Sequence, residues 1–155
     1  SEGISKGFIV GDDLFRPVSY GYDPATGLGL NIATFDISAP ELIKGLETTL
    51  AMWGIDQDFF LQVSGLTYKF DSTKPVGQRV IIGSIRINGQ PIDFTKTYSC
   101  TVNTGVVMLI PLLGINVTNL QLLPDLEYNV LKSYVHHLGL VYYPTEGRIK
   151  DVSVD

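Results

Sequence analysis

Charged residues are scarce in this sequence: Asp, Glu, Lys and Arg make up 17% of its 155 residues, while apolar types make up 45%. That scarcity excludes a disordered, charge-swollen chain and supplies enough apolar surface for one compact domain. Basic runs are absent, and the net charge is −5. A groove for a nucleic-acid backbone needs clustered Lys and Arg, so nucleic acid is not expected as a partner. Cysteine is reduced to Cys100, which excludes an intramolecular disulfide without identifying a compartment. No apolar run reaches the length of a membrane span, and no signal peptide is recognisable. The chain opens on Ser1-Glu2-Gly3 rather than Met, as a processed or excised piece would.

Catalytic groupings are missing as well. His136 and His137 are the only histidines; side by side on a helix they diverge by about 100° and share a metal poorly. Cys100 has no histidine near it in sequence and reads as an inert thiol in a strand. Asp12-Asp13 and Asp56-Gln57-Asp58 lack calcium-loop spacing and read as solvated loops. Gly27-Leu28-Gly29 is too short for a dinucleotide fingerprint. Asn116-Val117-Thr118 is a glycosylation sequon with no other sign of a eukaryotic secretory route. With no cluster of acid, base or metal-ligating groups, the chain by itself is expected to be non-catalytic.

What is present is an α+β pattern: a mixed, mainly antiparallel sheet with two helices in one domain over residues 1–155. The stretch from Ile4 to Leu14 reads as strand or loop, followed by a Gly/Pro-rich loop from Gly21 to Gly27. Leu30 to Ile37 alternates as a strand. Ser38 and Glu41 have capping-box spacing ahead of a helix with Leu42, Leu46, Leu50 and Trp53 on one stripe and Gly54 as its stop. Strands are expected over Phe59–Val63, Leu66–Phe70, Val80–Ile87 and Thr97–Val102, with Asn88-Gly89 as a hairpin turn. A second helix is expected over Asp125–Leu138, burying Leu126, Val130, Tyr134, Val135 and Leu138, and a last strand contains Arg148-Ile149. Met108 to Leu113 carries no charge and is expected to be buried, in the core or against another chain.

Several stretches, in order along the chain, resemble the C-terminal domain of the 5'-nucleotidase family, which includes UDP-sugar hydrolases. Phe59-Phe60-Leu61-Gln62-Val63-Ser64-Gly65-Leu66 and Tyr68 match "fLqvsGl.y". Gly77-Gln78-Arg79-Val80 is similar to "G.Rv", and Gly89-Gln90-Pro91-Ile92-Asp93 with Lys96-Thr97-Tyr98 to "G.pid..k.Y". Pro144-Thr145-Glu146-Gly147-Arg148-Ile149 resembles "P..EGRI", and Gly7 to Phe15 resembles "G.it..Dvf".

The resemblance implies a two-domain parent. Its N-terminal metallophosphoesterase domain would hold two divalent metal ions that activate water for attack on a phosphate ester. This chain would bind the nucleoside end of a nucleotide or another phosphate ester, at the periplasm or cell surface. The family clamps a base between two aromatic rings. The first ring aligns with Tyr20, followed by Gly21; the second site follows Asn103 and falls on Gly105. Gly105 is expected to leave the wall facing Tyr20 open, and the family's "GGDG" loop is replaced by Leu109-Ile110-Pro111-Leu112. Adenosine is therefore expected to bind weakly. The other reading is a non-catalytic module that holds a ligand or partner on the same fold.

Overall fold

A computed structural model of the chain describes residues 7–10, 14, 29–55, 60–142 and 144–154. The class is α+β, as the sequence pattern predicts. Among the described residues there are two sheets and three α-helices. The contacts divide into two compact units: Ser1–Asp36, Ser99–Leu112 and Thr118–Tyr143 form the first, and Ile37–Tyr98, Leu113–Val117 and Pro144–Asp155 the second.

The first unit is organised by a three-stranded sheet. Its central strand β1, Asn31–Ser38, buries Ala33, Phe35 and Ile37 and turns Thr34 and Asp36 to the other face, the period-two pattern that the sequence carries. Strand β5, Thr97–Asn103, flanks it and runs into helix α2, Thr104–Leu112. On the other side lies β6, Thr118–Leu126, antiparallel to β1 with Ala33 opposite Leu122 and Thr34 opposite Gln121. Bulges interrupt this pairing on both sides, one beside Asn119, whose φ is 52°. Helix α3, Glu127–Leu138, follows at once and stops at Gly139, where φ is 68°.

The second unit holds the larger core. Strand β2, Leu66–Phe70, turns Leu66, Tyr68 and Phe70 inward. Against them helix α1, Ala39–Leu50, buries Leu46 and Leu50, together with Val80 and Ile85. The neighbours of β2 are β3 (Arg86–Ile87), which pairs on outward to β4 (Gln90–Pro91), and, in parallel, β7 (Ile149–Asp151). The four strands are thus ordered β4-β3-β2-β7. The β3–β4 turn has φ of 49° at Asn88 and 79° at Gly89, as an Asn-Gly hairpin requires. Trp53 packs edge-on to Phe70, with ring centroids 5.0 Å apart.

Five expectations need correction. Residues 60–63 form no strand: the Phe60 ring packs on Trp53 with centroids 4.8 Å apart, and Val63 gives its carbonyl to the Arg148 guanidinium. Val80–Ile87 is broken into a bridge at Val80, a 3₁₀ turn at Ile82–Ser84 and β3; the Ser84 hydroxyl accepts the Lys69 N–H at 2.8 Å, where a neighbouring strand would have supplied a carbonyl. The capping box at Ser38 does not close, because Glu41 turns to Asn116 and accepts its N–H at 2.9 Å and its Nδ2 at 3.0 Å. Helix α3 half-buries Tyr128, Leu131 and Val135 and leaves Val130, Tyr134 and Leu138 exposed; apolar residues lie on both faces, so periodicity alone does not choose between them. Of Met108 to Leu113 only Ile110 is buried, while Met108 is 67% and Leu112 79% exposed. Among the described residues, no helix is long and apolar enough to cross a membrane.

Candidate functional site

The end of β5 brings together residues that are far apart in sequence. Asn103 is the N-cap of α2: its Oδ1 accepts the Val106 N–H at 3.1 Å, satisfying one of the donors a helix start leaves unpaired. Its Nδ2 donates to Glu127 Oε2 at 3.2 Å, on the first residue of α3. The Glu127 N–H in turn donates to the Leu30 carbonyl at 2.9 Å. Burial pushes the Glu127 carboxyl above its ordinary pKa, and the bond from Asn103 opposes that shift. The result is a half-buried carboxyl at the start of one helix, tied to the cap of another. Such a group can accept a hydrogen bond from a ligand hydroxyl or amine, or hold a proton and donate.

Gly105 lies in the first turn of α2, and its surroundings differ from the open wall expected. A Cβ placed there would lie 2.8 Å from Leu30 Cδ1 and 3.2 Å from Asn103 Oδ1. The Leu30 side chain therefore covers the glycine, and an aliphatic group stands where a facing ring would need room. Tyr20 and Gly21, the other two residues assigned to the site, lie outside the described residues, as do Asp12-Asp13 and Asp56-Gln57-Asp58. Glu127 and Leu30 carry no sequence signal: a lone first-turn acid reads as a helix-dipole partner, and a leucine before a strand reads as core.

Two open hollows lie elsewhere, and neither includes Asn103 or Gly105. One, of about 300 Å³, is on the polar face of the β5-β1-β6 sheet, between Thr34, Asp36, Ser99, Asn119 and Gln121. There Asn119 Nδ2 donates to Asp36 Oδ2 at 2.7 Å. The other, of about 480 Å³, lies along α1 beside Ile43, Lys44, Glu47 and Val76. Cys100 is half-buried on β5, and burial followed by the nearby Asp36 charge raises its thiol pKa, which fits an inert group. His136 and His137 stand exposed in the last turn of α3. Among the described residues, no three His, Cys, Asp or Glu side chains converge on a point that could hold a metal ion. No catalytic step through a metal is assigned to them.

The sequence profile of the 5'-nucleotidase C-terminal domain matches residues 4–108. The chain belongs to that family. No curated protein sequence matches it. Its fold is similar to that of a 5'-nucleotidase precursor from Thermus thermophilus, with a TM-score of 0.81 at 23% identity, covering 95% of this chain and 28% of that one. It is also similar to the Thermus thermophilus sulfate thiohydrolase SoxB (TM-score 0.60, 22% identity, 84% and 24% covered). A candidate 5'-nucleotidase from Staphylococcus aureus gives a TM-score of 0.65 at 16% identity, with 90% and 29% covered. The chain thus spans about a quarter of each of these proteins.

In this 5'-nucleotidase C-terminal domain the motif arginines support the second unit rather than a site. Arg79 donates from its guanidinium to the Leu50 carbonyl, at the end of α1, and from Nε to Lys74 O at 3.1 Å. That closes a helix end whose carbonyls would otherwise lack donors. Glu47 reaches the same segment and accepts the Arg79 and Val80 N–H groups at 3.0 and 2.7 Å. Arg148 ties the "EGRI" segment to Val63 and pairs with Glu146 at 2.7 Å. The Gly65 φ is 70°, and its carbonyl accepts the Asn88 N–H at 2.8 Å, so the motif glycine serves a turn that other residues adopt at a cost.

Proposed function

We propose that this 5'-nucleotidase C-terminal domain is the substrate-recognition part of a nucleotidase-like phosphoric ester hydrolase in nucleotide catabolism. In this reading an N-terminal metallophosphoesterase domain of the same polypeptide, outside these residues, holds two divalent metal ions and carries the chemistry. The observation that carries the reading is the family profile over residues 4–108. The Asn103–Glu127 pair at the head of α2 and α3 supports it by supplying polar contacts at the place the resemblance assigns to substrate. The periplasm or cell surface is the compartment that goes with this role.

The substrate is a phosphate ester held by polar contacts and at most one stacked ring. Leu30 over Gly105 supports this, because it fills the side of the site opposite the expected ring. One stacked face contributes about 1–3 kcal/mol, equivalent to millimolar or weaker affinity. Calorimetry should therefore show adenosine binding in that range or weaker; micromolar binding overturns this part. The role itself is tested with the intact polypeptide hydrolysing nucleoside 5'-monophosphates under added divalent metal. Asn103→Ala and Glu127→Gln should raise KM more than they change kcat. An unchanged KM in both variants removes these residues from recognition.

The second reading is a non-catalytic module holding a ligand or partner on the same fold. The exposed Met108 and Leu112 of α2 favour it. It predicts no metal-dependent turnover by the intact polypeptide on any phosphate ester.

A further inference from the structure

Strand β6 ends its sheet. β1 lies on one side of it, and no strand among the described residues takes the other. Leu120 is 46% and Leu122 66% exposed. An edge strand carries a row of backbone N–H and C=O groups aimed at nothing, and proteins usually protect it with charge, proline or bulges. Here the protection stops short. Asn119, with φ of 52°, interrupts one end and Pro124 the other. Leu120 to Leu123 between them carries neither charge nor proline.

Charge selects the occupant. The sequence from Thr97 to Pro124 contains no Asp, Glu, Lys or Arg, in a chain of net charge −5. A basic partner drawn by the acidic surface would have nothing to read on this strip. Two copies of the same acidic chain, by contrast, are repelled everywhere except where charge is absent. An antiparallel pair of identical strands about a twofold axis is also self-complementary. An axis through Gln121 sets Leu120 opposite the partner's Leu122, and Leu122 opposite the partner's Leu120. Both leucines lie on the Ala33 face of the sheet, as the Ala33–Leu122 register fixes. We propose that β6 pairs antiparallel with β6 of a second copy of this chain, joining two three-stranded sheets into one six-stranded sheet across a twofold axis at Gln121.

The test is sedimentation velocity on the intact protein from about 1 to 100 μM, ordinary working concentrations for affinities in that range. A dimer is expected. Leu122→Lys places two charges in the seam and removes two apolar contacts, so the dimer should weaken by about 100-fold or more, with an unchanged far-UV spectrum. The position of the axis is tested by Gln121→Cys in a Cys100→Ser background. Paired antiparallel residues lie about 4.5–5.5 Å apart at Cα, within disulfide range, so mild oxidation should give a covalent dimer. Thr101→Cys in the same background, on β5 at the other edge of the sheet, should not. A monomer at 100 μM, including one whose β6 amides are protected from exchange by another segment, overturns the proposal. So does a Leu122→Lys dimer as tight as wild type, or a dimer in which Cys at 121 fails to cross-link.

Discussion

Asn103 does two things at once, and three substitutions separate them. Asn103→Ala removes the cap on Val106 N–H and the donor to Glu127. A lost N-cap costs about 1 kcal/mol, and a hydrogen bond to a charged group about 1.5–3 kcal/mol, taken near its low end because Glu127 is half-exposed. The sum is about 2–4 kcal/mol, or a fall in Tm of about 4–16 °C for a chain of this size. Asn103→Ser keeps the cap and loses only the donor, so it should cost about half as much. Asn103→Asp also keeps the cap, but sets a second carboxylate beside Glu127. Two charges about 4 Å apart repel by about 1–4 kcal/mol at effective dielectrics of 80 to 20. That repulsion raises the Glu127 pKa further, above a value that burial already holds high. A raised carboxyl binds its proton more readily folded than unfolded, so stability is regained as pH falls through the raised value toward 4.5. The Asp variant should therefore be least stable at pH 7 and approach wild type near pH 4–5 in urea melts followed by circular dichroism. Equal stabilities for the Asp variant and wild type at pH 7 would refute the proximity of the two groups. A neutral Asn103→Ala would refute the cap.

Two further outcomes follow from the second unit. The Tyr68 hydroxyl is buried with no partner in bonding geometry, and burial pushes its pKa up to about 12 although Thr49 lies near; Thr49 gives its own proton to Leu46 O at 2.9 Å. Tyr68→Phe should thus be neutral or stabilising by about 1 kcal/mol, and a loss above about 1.5 kcal/mol would mean that Thr49 accepts a real bond from the phenol. Burial acts to raise the Asp151 carboxyl, but hydrogen bonds from Ser72 and Ser153 outweigh it and hold the pKa down at about 2. A lowered carboxyl contributes stability above its unfolded value of about 3.8 and loses it as pH falls through about 2. Asp151→Asn should cost about 1 kcal/mol or less at pH 7 after solvent screening, and the gap should close between pH 4 and 2; a gap constant over that range would place the effect elsewhere.

The parts of the fold that were legible in the sequence are those with a local cause. Leu66–Phe70 alternates because one face meets the core, and Asn88-Gly89 turns because both residues tolerate positive φ. The misread parts have distant causes. Phe60 is apolar in order to pack on Trp53, and the carbonyl of Val63 is claimed by Arg148 from 85 residues away, so the segment need not be a strand. Glu41 has capping-box spacing, but its partner Asn116 is 75 residues away. Helix α2 is apolar on every side and contains Pro111, so it has no helical stripe to read. Strand β6 tolerates Pro124 because it is an edge. The motifs that carry the family likeness, Arg79 and Arg148 among them, hold the second unit together, which is why they identify the fold better than the site. The site depends on Leu30, Asn103 and Glu127 meeting across 97 residues, and no spacing in the sequence announces that.

The central claim is that this chain contributes recognition and leaves the chemistry to metal ions held elsewhere in the polypeptide. The most direct measurement compares hydrolysis of AMP and p-nitrophenyl phosphate by residues 1–155 and by the intact polypeptide, each with and without added divalent metal. The account predicts metal-dependent turnover by the intact polypeptide and none by residues 1–155, since among the described residues no ligand cluster exists to hold a metal pair. Robust metal-dependent turnover by residues 1–155 alone would contradict it.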